Sequence, residues 1–309
     1  MRVVFMGTPD FAVPCLAELV EEGHEIVGVF TQPDKPVGRK RVITPPEVKV
    51  EALKNNLPVY QFEKMKTGEA YKKICELDPE IIVVVAYGKI LPKNILDYPK
   101  YGCINIHGSL LPKLRGAAPI QWSVINGEKY AGVTSMRMDE GLDTGDMILK
   151  KKVEIGFEET SGELYERLSF LGAQVLRETI KLIEENKANY EKQDDSVSTY
   201  APLLDKEMAV IDWNDSAMNI YNKIRGLNPW PIAQTTLEGK KVKIISVKYV
   251  ENINKDAGQI ADANKKIVVS CGDGNGIEIT SLQLEGKKAM DTKSFLAGNS
   301  LEVNTFFGG

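Results

Sequence analysis

Apolar positions in the first part of the chain form short runs separated by helical patterns. The runs are rich in β-branched residues and fall at 3–6, 26–31, 81–86 and 103–107, and a 3.6-residue pattern at about 11–22 connects the first two. Runs that are apolar on both faces are typical of parallel strands covered by helices on both sides. The pattern therefore predicts an α/β fold with a doubly wound, mostly parallel sheet.

A second helix is predicted to open at the sequence Thr44-Pro-Pro-Glu47. A capping residue, proline in the first turn and a glutamate three positions later are typical of a helix start. The preceding segment, residues 34–44, contains proline, glycine and several cations, and we expect a basic loop there.

The pattern changes after residue 130. Two strands are predicted at about 132–138 and 147–155, and then a long helix at about 161–186 that Thr160 and Glu163 cap. Short strand-like segments between glycine and aspartate turns fill the tail. They lie at 242–250, 258–262, 266–271 and 276–284.

These elements predict two domains, in keeping with a chain of 309 residues. We expect the α/β domain at residues 1–188, a polar and aperiodic linker at 189–206, and a smaller OB-like β-barrel domain of antiparallel strands at 207–309.

Composition narrows the class of protein. A net charge of −4 argues against a general nucleic-acid binder, and no apolar run reaches the length of a membrane span. The first residues lack the pattern of a signal peptide, so a cytoplasmic protein is expected. The four cysteines are far apart in sequence, which favours buried reduced thiols over a metal or disulfide site.

Two polar residues end one of the apolar runs. Asn105 and His107 are two positions apart, so a strand turns both side chains to one face. An amide can donate to an oxyanion and an imidazole can take a proton from an amine, and acyl transfer to an amine needs both. A later turn holds carboxylates that could orient the imidazole, and spacing alone does not choose among them. They are Asp139, Glu140, Asp143 and Asp146.

Signatures of several other enzyme classes are missing from the sequence. The first run leads into Gly7-Thr-Pro-Asp10 and not into Gly-x-Gly-x-x-Gly, which argues against a nicotinamide-binding protein. The glycine-rich segment 272–276 lies between two predicted strands, so it predicts a hairpin turn and not a phosphate cradle. No Gly-x-Ser-x-Gly sequence surrounds Ser109, which is therefore no obvious nucleophile.

Residues 105–112 read Asn-Ile-His-Gly-Ser-Leu-Leu-Pro, and with the acidic turn at 139–146 they resemble the folate-dependent formyltransferases. The run at 109–122, together with residues 6–12, 31–39 and 225–231, is similar to the members that act on methionyl-tRNA. This resemblance covers essentially the full length. Leu114 stands where the family usually has an aromatic residue, and Gly226-Leu227 stands where Ala-Phe is commoner.

The resemblance implies transfer of the formyl group of 10-formyltetrahydrofolate to the α-amino group of initiator methionyl-tRNA, without a metal. Asn105 would donate to the formyl oxygen, and Asp143 matches the family's catalytic aspartate. His107 would act as the base for the amine or, when protonated, help to stabilise the oxyanion, and the sequence leaves both roles open. The resemblance also places a short segment at the folate: Ser109, Leu110, Leu111 and Pro112.

Three consecutive cations, Arg39, Lys40 and Arg41, are candidates for tRNA binding. A bare run of charge is usually a solvated face, but the family uses the matching loop on the acceptor stem. Cations of this kind neutralise phosphates with little reading of sequence. The lysines of the tail domain could line a weaker track for tRNA phosphates, although a solvated surface is the usual role of any one of them. The resemblance implies no obligate protein partner.

Three alternatives differ in their acceptor or activity. A folate-dependent formyltransferase for an amino sugar nucleotide would share Asn105, His107 and Asp143, but it would not need the basic loop. A glycinamide ribonucleotide formyltransferase would need no second domain. A catalytically silent RNA-binding module would have no need for the three polar residues in a chain with only two histidines.

Overall fold

The computed structural model describes residues 1–38, 40–303 and 305–308. The strands, in chain order, are β1 (Arg2–Gly7), β2 (Glu25–Thr31), β3 (Lys35–Val37), β4 (Val42–Thr44), β5 (Val59–Gln61), β6 (Ile81–Val85), β7 (Cys103–His107), β8 (Arg115–Gly116), β9 (Tyr130–Arg137), β10 (Met147–Glu154), β11 (Tyr200–Ala201), β12 (Gln234–Leu237), β13 (Lys240–Val250), β14 (Ile260–Asp262), β15 (Ile267–Ser270), β16 (Gly276–Leu284) and β17 (Met290–Asp291).

The helices, in chain order, are α1 (Val13–Glu21), α2 (Glu47–Lys54), α3 (Glu69–Leu77), α4 (Lys93–Leu96), α5 (Pro119–Ile125), α6 (Ser161–Glu184), α7 (Ala217–Gly226) and α8 (Thr292–Gly298). No helix in the described part of the chain is long and apolar enough to cross a membrane.

The chain forms two compact units, and each contains segments from distant parts of the sequence. The first unit consists of Met1–Pro119, Ala131–Val153 and Tyr165–Ala201. The second consists of Ile120–Tyr130, Glu154–Leu164 and Pro202–Gly309.

A 7-stranded sheet in the order β10-β9-β7-β6-β1-β2-β5 forms the centre of the first unit. The strands from β7 to β5 pair in parallel, whereas β9 runs antiparallel to β7. Every residue of β6 and β7 is buried, as expected for strands that are covered on both faces. The predicted doubly wound, mostly parallel sheet is therefore confirmed. Because β2 and β7 are parallel members of one sheet, their carboxyl ends lie at the same edge.

The segment after β2 is a hairpin and not the loop that the sequence predicts. Strands β3 and β4 pair antiparallel, and their residues are exposed. Thr44 belongs to β4, and Pro46 occupies the N-cap position of α2 without a side-chain cap bond. The helix was predicted correctly, but the predicted role of Thr44 as its cap is wrong.

The second unit contains an antiparallel half-barrel sheet in the order β12-β13-β16-β15-β14, and β17 pairs with β16. Isolated bridges join Phe307 to Leu237 and Phe306 to Gln259, so the end of the chain spans from β12 to the start of β14. The turn between β15 and β16 joins antiparallel neighbours, which confirms the hairpin predicted at 272–276.

Helix α7 forms hydrogen bonds to an earlier segment of the same unit. The guanidinium of Arg225 donates to the carbonyls of Gly156 and Glu159 at 3.2 and 3.0 Å, and to the side-chain oxygen of Asn222. The predicted cap of α6 is confirmed, because the Thr160 amide donates to the Glu163 carboxylate while the Glu163 amide donates back to the Thr160 hydroxyl.

Candidate active site

The last strand of the parallel set delivers two polar side chains to the carboxyl edge of the sheet. Asn105 and His107 lie at alternate positions of β7 and are only 9% and 7% exposed. In doubly wound sheets ligands bind beyond this edge. An amide and an imidazole are therefore held, largely shielded from water, where a substrate is expected.

Asp143 is the carboxylate of the acidic turn that lies beside this pair. Its Oδ1 accepts a long hydrogen bond of 3.5 Å from Asn105 Nδ2, and its Oδ2 lies 3.8 Å from His107 Nδ1. Asp139 has a different role, because its Oδ1 accepts from the Gly141 amide and the Thr144 hydroxyl within the turn. The geometry thus separates carboxylates that the sequence spacing could not separate.

The conformation of Asp143 is uncommon for a residue with a side chain, since its φ is 53°. The Gly116 amide donates to Asp143 Oδ2 at 2.8 Å and fixes the direction of the carboxylate. Two residues later, Gly145 allows a close approach of the backbone, because an added Cβ would lie 1.8 Å from the Arg137 carbonyl oxygen. The turn is therefore packed tightly enough to hold the carboxylate in this strained position.

One hydrogen bond settles which nitrogen of His107 carries a proton. The imidazole Nε2 lies 3.0 Å from the Leu114 carbonyl oxygen, which can only accept. Nε2 must therefore donate, so that Nδ1 is the nitrogen directed at Asp143. The separation of 3.8 Å between Nδ1 and Oδ2 exceeds direct hydrogen-bond length, so the lone pair of Nδ1 is not engaged by the carboxylate.

Of the four residues predicted to bind folate, two are buried and two are half-buried. Ser109 is 2% exposed, and its hydroxyl donates to the Lys113 carbonyl at 2.7 Å. Leu111 is buried, whereas Leu110 and Pro112 are half-buried. The side chains of Leu110 and Pro112 keep part of their apolar surface accessible, which is the kind of surface that a pterin ring needs. Folate binding by these residues stays a prediction.

A protonated thiol lies on the same strand as Asn105 and His107. Burial raises the pKa of the Cys103 thiol, on the same strand, to about 12, so that it stays protonated at neutral pH. Within residues 1–38, 40–303 and 305–308, no group of three or more His, Cys, Asp or Glu side chains is arranged to hold a metal ion.

The predicted tRNA-binding cations follow β2 at the same edge of the sheet. Lys40 and Arg41 are exposed at the turn of the β3–β4 hairpin, and Arg39 lies outside the described residues. The hairpin is anchored at its base, because Lys49 Nζ donates to both carboxylate oxygens of Asp34 at 2.8 Å. Their role in tRNA binding stays a prediction.

Sequence reasoning missed the groups that support the cluster. The Leu114 carbonyl and the Gly116 amide act through the main chain, so no residue type reveals them. Gln193 donates its side-chain amide to the Asp143 and Gly145 carbonyls, although it lies in the segment predicted as a linker. That segment also contains β11, which pairs with β8. A polar and aperiodic sequence gave no signal of either contact.

Comparison with known proteins identifies the family. The formyl transferase family matches residues 1–180, and the C-terminal domain of formyl transferases matches residues 203–300. Methionyl-tRNA formyltransferase of Alkaliphilus oremlandii (strain OhILAs) is 52% identical over 309 residues and covers 100% of both chains. Its counterpart in Bacillus subtilis (strain 168) is 47% identical over 309 residues, which are 99% of this chain and 98% of that protein.

Solved structures share the fold at lower identity. An N-formyltransferase from Helicobacter canadensis, in complex with folinic acid and dTDP-3-aminofucose, has a TM-score of 0.69 at 22% identity and covers 90% of this chain and 98% of its own. HypX from Aquifex aeolicus, in complex with tetrahydrofolic acid, has a TM-score of 0.65 at 16% identity and covers 99% of this chain and 51% of its own. With both of its parts matched and close relatives along its full length, the chain belongs to the formyltransferase family.

Proposed function

We propose that this protein transfers the formyl group of 10-formyltetrahydrofolate to the α-amino group of methionyl-tRNA. The observation that carries the proposal is the convergence of an amide, an imidazole and a carboxylate at the carboxyl edge of the sheet. The acceptor is inferred from relatives named methionyl-tRNA formyltransferase, two of which match nearly the whole chain at 52% and 47% identity. The reaction belongs to protein synthesis, and we place it in the cytoplasm.

Bound 10-formyltetrahydrofolate supplies a formyl carbon that an amine can attack, and negative charge then develops on the formyl oxygen. Asn105 Nδ2 has hydrogens to donate to that oxygen, and its bond to Asp143 is long enough to be exchanged for a stronger one. Since Asn105 is nearly buried, the donor is shielded from water, which strengthens its effect.

His107 and Asp143 handle the proton of the attacking amine in this proposal. The Leu114 carbonyl keeps a hydrogen on Nε2, so a neutral His107 presents the lone pair of Nδ1 and can accept a proton there. The Asp143 carboxylate faces that atom and stabilises the imidazolium that forms. The bond between the formyl carbon and N10 of the folate then breaks, and N10 takes up the proton that His107 has accepted, which leaves tetrahydrofolate and the formylated amine. This geometry favours the base role among the two that the sequence left open.

The exposed hairpin and the half-barrel unit are the proposed contacts for tRNA. The hairpin follows β2 at the edge where β7 presents His107, so cations at its turn can bind phosphates of a tRNA whose aminoacyl end enters the site. The same cations are not needed for a small sugar acceptor.

Formyl transfer to charged initiator methionyl-tRNA, measured beside charged elongator methionyl-tRNA and a dTDP-amino sugar, tests the proposed function. We expect fast transfer to the initiator tRNA and little to the sugar nucleotide. Transfer to the amino sugar alone would overturn the proposal in favour of the sugar N-formyltransferase activity of the structural neighbours.

The double substitution Lys40→Ala/Arg41→Ala is expected to raise the KM for tRNA and leave the KM for folate unchanged. Each lost phosphate contact should reduce the magnitude of the slope of log(kcat/KM) against log salt concentration by about 1. Because the variant lacks two cations, its slope should be smaller in magnitude than that of the wild type by about 2. Lys66→Ala/Lys72→Ala is the matched control, because it removes two exposed lysines of the first unit with the same change in charge. Equal salt slopes for the two double variants would contradict a role of the hairpin in tRNA binding.

A further inference from the structure

The segment Gln193–Ala201, which we call the clasp, forms hydrogen bonds around the candidate active site. Its polar and aperiodic sequence does not predict them. Gln193 Nε2 donates to the main-chain carbonyls of Asp143 and Gly145, each at 2.8 Å. One side chain thus bridges the main chain of the turn on both sides of Thr144, and one of its two bonds is to Asp143 itself. A carboxamide nitrogen has two hydrogens, and both are used here.

Arg115 determines which way the Gln193 amide points. The Gln193 Oε1 accepts from Arg115 Nε at 3.0 Å and from Arg115 Nη2 at 2.8 Å. A guanidinium can only donate, so the oxygen of the amide must face it and the nitrogen must face the acidic turn. Arg115 Nη2 also pairs with Asp195 at 2.7 Å, and the Asp195 side chain is 81% exposed.

The other end of the clasp holds the segment that contacts His107. The Leu114 amide donates to the Thr199 hydroxyl and the Arg115 amide donates to the Thr199 carbonyl, both at 2.9 Å. Strand β11 then pairs with β8, which places Tyr200 opposite Arg115. The clasp therefore borders both supports of the cluster, namely the Leu114 carbonyl on His107 and the Gly116 amide on Asp143.

We propose that Gln193 is a positioning residue, which keeps the Asp143 carboxylate directed at His107 by holding the backbone of the acidic turn. The proposal rests on the proposed formyl transfer and goes beyond it. With a φ of 53°, Asp143 adopts a backbone conformation that needs support from its surroundings. Without the two bonds from Gln193 the turn can relax, and the carboxylate then moves away from the Gly116 amide and from His107.

Gln193→Ala is expected to lower kcat about 10- to 100-fold, the usual cost of losing a group that orients a reactive one. The KM values for 10-formyltetrahydrofolate and methionyl-tRNA should change less than about twofold, because Gln193 contacts the turn and not a substrate. Gln193→Glu should be equally impaired, since its carboxylate keeps acceptors for Arg115 but has no hydrogen for the two carbonyls. Gln174→Ala, an exposed glutamine of α6, is the control and should retain full activity.

A double-mutant cycle with Asp143→Asn separates positioning from a general structural role. If Gln193 acts through Asp143, then Gln193→Ala should cost less than about threefold in single-turnover rate once Asp143 is already asparagine. Losses that multiply would overturn the proposal, as would a wild-type kcat in Gln193→Ala. Binding of tetrahydrofolate, measured by titration, reports whether each variant is folded. If Gln193→Ala does not fold, Gln193→Glu is judged by the same criteria.

The same measurements distinguish this proposal from the proposed function. Formyl transfer by the wild type together with unimpaired Gln193 variants would overturn the role of Gln193 alone. No transfer by the wild type to methionyl-tRNA would overturn the proposed function, and the positioning role with it.

Discussion

Asp143→Asn is expected to lower the rate of formyl transfer by about 10³- to 10⁴-fold, the loss seen when the carboxylate of a catalytic triad becomes an amide. The substitution keeps the size of the side chain but removes its charge, so nothing stabilises a proton on His107 Nδ1. It also removes an acceptor. Asp143 accepts from both Asn105 and Gly116, whereas asparagine has one side-chain oxygen for these two donors. Single-turnover kinetics with saturating methionyl-tRNA measures the loss.

Glu140→Gln is the matched control for this experiment. Glu140 lies in the same acidic turn and is exposed, so the variant removes the same charge without touching the polar cluster. It should retain wild-type turnover, and both variants should bind tetrahydrofolate and unfold near the wild-type temperature. Full activity in Asp143→Asn, or an equal loss in Glu140→Gln, would show that Asp143 is not the catalytic carboxylate.

Asn105→Ala is expected to lower kcat about 10²- to 10³-fold, the usual cost of removing one donor to a developing oxyanion. Both KM values should change little, because the bond to the formyl oxygen strengthens only as negative charge develops on it. Stability should change little as well, since the amide makes one long bond of 3.5 Å to Asp143. Steady-state kinetics with each substrate varied in turn gives kcat and KM separately.

Asn94→Ala provides the comparison for Asn105→Ala, because Asn94 is an exposed asparagine on α4 of the same unit. Its kinetic constants should match those of the wild type. An Asn105→Ala variant with a raised KM for folate and an unchanged kcat would instead make Asn105 a folate-binding residue without a role in charge stabilisation.

The central sheet could be predicted because a strand that is buried on both faces needs apolar residues at every position, and such runs are visible in the sequence. Residues 81–86 and 103–107 are apolar runs, and they became β6 and β7 with every strand residue buried. The antiparallel sheet of the tail could be predicted for a similar reason, since glycine and aspartate turns separate its strands. The cap of α6 followed from a local rule that links Thr160 and Glu163 only to each other.

The hairpin at 34–44 shows where local rules compete. Thr44 has the chemistry of a helix cap, but it is also a β-branched residue next to two others, Val42 and Ile43. In the structure it pairs with Lys35 in the hairpin, so the helix starts at Glu47 without it. Because the pairing partner lies nine positions earlier and carries no apolar signal, the sequence pattern alone favours a loop.

The candidate site also contains some residues that the sequence predicts and others that it does not. Asn105 and His107 are visible in the sequence because a strand places alternate side chains on one face. The choice of Asp143 required either the family resemblance or the fold of the turn. The support from Leu114, Gly116 and Gln193 could not be predicted, because it consists of hydrogen bonds that involve main-chain groups, which every residue type carries.

Segments of the two units alternate along the sequence, which limits where the chain can be exchanged between relatives. Segments 120–130 and 154–164 belong to the same unit as the half-barrel, although they precede it by many residues. Gly226 illustrates how closely they fit, since an added Cβ would lie 2.5 Å from Ile125 Cγ1. In a chimaera of two relatives that is joined near residue 201, the interior of the second unit would therefore contain segments from both parents. We expect natural and laboratory chimaeras to survive only when those earlier segments are inherited from the same parent as the tail.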